Sequence, residues 1–186
     1  MRTLIKSKRA QIWVETVIYT LIGLTIIGVI LAIATPAIER YKDQLVIEQT
    51  ISIMNDLDNT IKDVRDAGSG NRRIIPELMI KKGRIEIDPE NEEIRYILEG
   101  TRLEYSEPGT LIEQGSMYVY TEQIGGNKNY NINISLNYTG IDLTYKGNDA
   151  KKTFTAASVP YKIALYNNGT TGACNCLIWI DTEDIS

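Results

Sequence analysis

Glu15 is the carboxylate at the start of a long uncharged stretch, and it follows a basic cluster of Arg2, Lys6, Lys8 and Arg9. A carboxylate costs about 2–3 kcal/mol at the centre of a hydrocarbon layer and less at its margin. Such a group calls for a positive partner or for access to the headgroups. The other reactive side chains are few. Cys174 and Cys176 flank Asn175, and a loop that short restricts the unfolded chain too little to staple a fold. A local disulfide, an intermolecular one and two free thiols stay open, and an extracytoplasmic location favours the disulfides. Two thiols without histidine or further cysteine fall short of a zinc shell.

Asn133-Ile-Ser135, Asn137-Tyr-Thr139 and Asn168-Gly-Thr170 match the N-glycosylation acceptor pattern. Asn133 and Asn137 alternate with Ile132, Ile134 and Leu136, which puts both on the solvent face of one strand. Carboxylates gather at Asp88, Glu90, Glu92 and Glu93 and along Asp56, Asp58, Asp63 and Asp66. Neither set has calcium-loop spacing, and both read as solvated faces. The chain has no histidine, which removes histidine triads and bases. It also lacks a phosphate-binding glycine loop and a nucleophile elbow. The expectation is a protein that is not an enzyme, with no catalytic, cofactor-binding or metal-ligating residues.

The elements carrying these residues fall into two kinds. Thr16 to Ile38 is free of charge over 23 residues, about 35 Å as a helix, and can cross a bilayer core of about 30 Å. The basic cluster before it directs that end to the cytoplasm and the rest outward. Gly28 and Ala32, four apart, share a face that would allow close helix packing. Pro36 bends the helix rather than ending it. Ile47, Ile51, Met54, Leu57, Ile61 and Val64 then recur at helical spacing until Gly68-Ser-Gly70 stops the run. A helix from about Ile12 to Asp66 follows, apolar all round in its first half and amphipathic in its second.

Beyond Gly70 the period changes. Strands are expected at 84–88, 93–98, 117–120, 131–138, 141–145, 161–166 and 177–180. Turns are expected at Asp88–Asn91, Gly125–Asn127, Thr139–Gly140 and Asn167–Gly169. The fold class is α+β: a long N-terminal helix, then an antiparallel sheet or small sandwich. Residues 11–67 divide into halves 11–38 and 39–67, and residues 72–186 form the extracytoplasmic β domain. The net charge is −4, and losing the four cations of residues 1–10 takes it to −8, which argues against nucleic acid as a partner.

Lys8-Arg9-Ala10 followed by Gln11-Ile-Trp-Val-Glu15 resembles the leader of type IV pilin-like proteins, above all the archaeal class with Gln first and Glu fifth after the cut. The family usually has Gly where Ala10 stands; the archaeal pattern favours Ser at the place of Trp13 and Phe at that of Thr16. The resemblance covers residues 8–40, and beyond them it extends only to the long kinked helix and β domain. It implies cleavage between Ala10 and Gln11 by a membrane prepilin peptidase on the cytoplasmic side. It further implies pilus assembly machinery and a helical filament of copies or related pilins whose apolar helices form the core. Glu15 would pair with a neighbour's Gln11 amine, unless that glutamine cyclises.

Two alternatives differ from this in the mature N-terminus. A single-pass anchored β-domain binding protein keeps Met1, and a secreted form cut after Ala34 begins at Thr35.

Overall fold

The structure, a computed structural model, describes residues 8–126, 128–171 and 177–185. Helix α1 runs from Lys8 to Asp66 with Pro36 inside it. It therefore extends at least four residues before the expected Ile12 and passes through Ala10 and Gln11. It ends where the glycines predict. The Ala67 amide donates to the Asp63 carbonyl at 3.0 Å and that of Gly68 to Arg65 at 3.3 Å. Gly68 takes the left-handed conformation, φ +84°, that closes a helix without a Cβ clash.

The chain divides into two compact units between Tyr41 and Lys42, inside the helix. The described residues of the first unit, 8–41, are all helix. In the second, Asp43, Ile47, Thr50, Met54, Leu57, Ile61 and Val64 are buried at alternating intervals of four and three. That spacing keeps one stripe of the helix on the core, with Asp58 buried beside it and Glu48, Asp56, Asp63 and Asp66 facing out.

Among the described residues ten strands follow, at Arg72–Leu78 (β1), Arg84–Asp88 (β2), Glu93–Thr101 (β3), Leu111–Gln114 (β4), Met117–Ile124 (β5), Asn129–Asn137 (β6), Ile141–Tyr145 (β7), Lys152–Thr155 (β8), Tyr161–Thr171 (β9) and Leu177–Asp184 (β10). They form a six-stranded sheet in the order β4-β5-β6-β3-β2-β8 and a four-stranded sheet in the order β1-β9-β10-β7. The α+β class holds. The seven expected strands are all present, and β1, β4 and β8 are added. These three lie at sheet edges, where one side lacks a partner strand and the half-buried alternation that marks a strand in sequence is weak.

Among the described residues every strand pairing is antiparallel except β7 with β10, which is parallel. Residues of α1 and of both sheets share one hydrophobic core. Ile85, Tyr96, Ile134 and Val119 lie side by side across four strands of the larger sheet. Ile163, Leu165, Ile180 and Leu143 line the inner face of the smaller one.

Two expectations are corrected. Asn167–Gly169 is not a turn but lies within β9, opposite a register shift between Ile178 and Ile180. Asp58 and Asp88 are not on solvated faces: they are 3% and 0% exposed.

Candidate functional site

The candidate site is the apolar part of α1 together with the groups that fasten its other half to the sheets. None of the most apolar window of the helix is buried, and the helix is long and apolar enough to cross a membrane. Trp13 is 72% exposed, Ile33 70% and Tyr41 69%, with the intervening Leu, Ile and Val side chains exposed as well. A Cβ built at Gly23 or Gly28 meets nothing within 4 Å. Gly28 and Ala32 thus leave a shallow, unfilled place on the helix surface.

The polar side chains of this stretch satisfy themselves locally. The hydroxyls of Thr20, Thr25 and Thr35 donate to the carbonyls of Thr16, Leu21 and Leu31 at 2.8, 2.7 and 2.8 Å. Threonine can bond back to the preceding turn in this way and show an apolar exterior. Glu15 follows the same logic with a different partner, since its carboxylate accepts from the Tyr19 hydroxyl at 3.3 Å, one turn on. Pro36 has no amide to give, which frees the carbonyl of the preceding turn. The result is a helix whose surface can face hydrocarbon or other helices with little polar cost.

The second half is fastened by two buried carboxylates on its core stripe. Asp43 accepts from Lys82 Nζ and from the Thr101 hydroxyl, each at 2.5 Å. Asp58 accepts from Lys62 Nζ and from the Ser116 hydroxyl, each at 2.5 Å. A charge taken from water needs such partners: Lys62 is one turn on in α1 itself, while Thr101 comes from β3 and Lys82 and Ser116 from the loops before β2 and β5. The Tyr96 hydroxyl, fully buried, donates to the Lys82 carbonyl at 2.7 Å. Burial, opposed by a bond with Thr50 and helped by the Asp43 charge, pushes its phenol up to about 12. Burial and the nearby Asp58 push that of Tyr138 up as well.

The far end of the helix is held by Asn167. Its side-chain amide donates to the carbonyls of Val64 and Arg65 at 3.0 and 3.3 Å, two of the groups a helix end leaves without partners. Its side-chain oxygen accepts from the Gly169 amide at 2.9 Å. The backbone adds a bond from the Gly70 amide to the Asn167 carbonyl at 2.8 Å and one from the Asn167 amide to that of Asn71 at 2.9 Å.

Among the acidic residues, burial pulls the Asp88 carboxyl upward. Bonds from Lys151 and Asn91 and the charges of Lys151 and Arg95 outweigh it and hold the group below the usual range. Glu92 is raised by burial; its carboxylate accepts from the Leu143 amide at 2.6 Å. Lys146 and Tyr145 hold Asp184 down at about 2. Among the described residues, no group of three or more carboxylate or thiol ligands is placed to hold a metal ion.

Asn133 is half-buried and Asn137 exposed on the outer face of β6, and Asn168 is exposed on β9. Cys174 and Cys176 lie outside the described residues. Ala10 and Gln11 lie in the first turns of α1.

Sequence reasoning missed Asp43, Lys82, Thr101, Ser116 and Asn167. The signal for Asp43 was available, because it lies four residues before Ile47 on the same stripe. Asn167 carried a turn signature instead. Comparison of the chain with protein-family models, curated proteins and solved structures finds no match.

Proposed function

We propose that this chain is a structural subunit of a type IV pilus-like extracellular filament, processed between Ala10 and Gln11 and assembled through its hydrophobic helix. The observation that supports it is the division of α1. One stretch exposes apolar side chains on all sides, and the same helix continues into a stripe committed to the core of a β unit. An apolar surface of that extent is unstable in water and needs lipid or other helices. In this reading the subunit waits in the membrane with its N-terminus inside and its β domain outside. A prepilin peptidase removes the leader, and assembly machinery moves the subunit into a polymer whose core is made of these helices. There Glu15 exchanges Tyr19 for the amine of a neighbour's Gln11. The work is structural, without catalysis, at the cell surface, with adhesion as its use.

N-terminal mass spectrometry of the native protein tests the processing. Gln11, free or cyclised, supports the proposal; an intact Met1 points to a non-polymerising anchored β-domain binding protein, and Thr35 to a secreted one. Electron microscopy of the same material then separates a polymer from a processed but solitary subunit.

A further inference from the structure

β1 and β4 are the open edges of different sheets, and they differ in charge. From Leu103 to Asn127, around β4, there are four glutamates (Glu104, Glu107, Glu113 and Glu122) and no lysine or arginine. From Arg72 to Lys82, around β1, there are Arg72, Arg73, Lys81 and Lys82 against the single Glu77. Both edges also expose apolar side chains, with Leu111 59% exposed on β4 and Ile74 49% exposed on β1.

The strands match in length. β1 pairs regularly with β9 over Arg72–Ile75, after which its register breaks at Pro76, which has no amide to offer. β4 pairs with β5 over Leu111–Gln114. Laid antiparallel, these two four-residue segments put Arg73 opposite Glu113, Ile74 opposite Ile112 and Ile75 opposite Leu111. Laid parallel, Arg72 falls opposite Leu111 and Arg73 opposite Ile112.

We infer that β1 of one copy of this chain adds antiparallel to β4 of the next, in the register that sets Arg73 against Glu113, joining the two sheets across the subunit boundary. The inference rests on the filament reading for its setting but not for its geometry. Charge and proline at an edge ordinarily repel other strands. Here two β1 edges repel each other, as do two β4 edges, and only the unlike pair attracts. A contact between different patches is heterologous, so it gives an open and polar assembly rather than a closed dimer.

The test uses the full chain in detergent, and filaments recovered from cells expressing it, with the photoreactive residue p-benzoyl-phenylalanine in place of Leu111. Illumination is expected to link that position to the peptide containing Arg72–Leu78 of another copy. Glu113→Arg should cut the yield at least several-fold, and Glu113→Arg with Arg73→Glu should restore it. Added salt, which shortens the Debye length from about 10 Å at 0.1 M to about 3 Å at 1 M, should lower the yield.

Links to other peptides, no links, or yields indifferent to charge reversal would overturn the inference. Filaments that form without the link would do so while leaving the filament reading intact. The link in detergent without filaments in cells would support the strand contact and count against the filament.

Discussion

An alanine at Gly83 would place its Cβ 2.5 Å from the Ile97 carbonyl oxygen, in a backbone with φ +77° that disfavours side chains. Gly83→Ala should therefore destabilise the fold by more than about 1 kcal/mol, measured by denaturant titration in detergent. Asn167→Ala removes one side-chain amide that serves two helix carbonyls and the Gly169 N–H; we expect a loss of about 1–3 kcal/mol in the same measurement. Glu15→Ala should have the opposite profile. It should leave membrane insertion and folding unchanged and lower filament yield, and normal yield would dismiss a pairing role for this carboxylate. Glu15 stands out in the sequence as the charge that opens an apolar run, but its bond with Tyr19 was not read there. Asn167 was not legible, since Asn-Asn-Gly favours a turn locally and only contact with a helix end about a hundred residues earlier overrides it.

The stripe on α1 accounts for what was legible at the level of elements. Its period was visible, as was the change to alternation after Gly70, because a core-facing helix and half-buried strands write their geometry into the spacing of apolar residues. β1, β4 and β8 were invisible for the same reason, having little buried face to record. The parallel pairing of β7 with β10 was equally hidden, since local pattern carries no information on partner choice. Ile61, fully buried on the stripe, sets the strength of helix docking. Ile61→Ala should cost about 2–5 kcal/mol. Amide exchange should then rise in the half of α1 after Lys42 and not before Tyr41, since the apolar unit gains nothing from that contact.

The response to pH follows from groups held away from their ordinary values. Asp184 lies at about 2 and Asp88 is also depressed, so both are charged in the folded chain where the unfolded chain would already take up protons. Their contribution is fully present above about pH 4 and is lost as pH falls towards 2. Asp184→Asn should flatten part of that loss in an acid titration followed by circular dichroism. At the other extreme, Tyr96 stays protonated up to about 12 in the fold. Stability should fall from about pH 10, where free tyrosine ionises, towards 12, and Tyr96→Phe should shift that limb upward.

The order β1-β9-β10-β7 has a consequence for how the molecule is made. The last of the described strands, β10, occupies an inner place in its sheet, between one strand that ends just before it and another some thirty residues earlier. Until residues 177–184 arrive, β7 and β9 have no common neighbour, and the smaller sheet is two fragments. Synthesis from the N-terminus therefore delivers the apolar helix before the β unit, and β10 after both of the strands it joins. A chain interrupted before β10 would carry the exposed apolar helix on a β unit whose smaller sheet is left with an open seam.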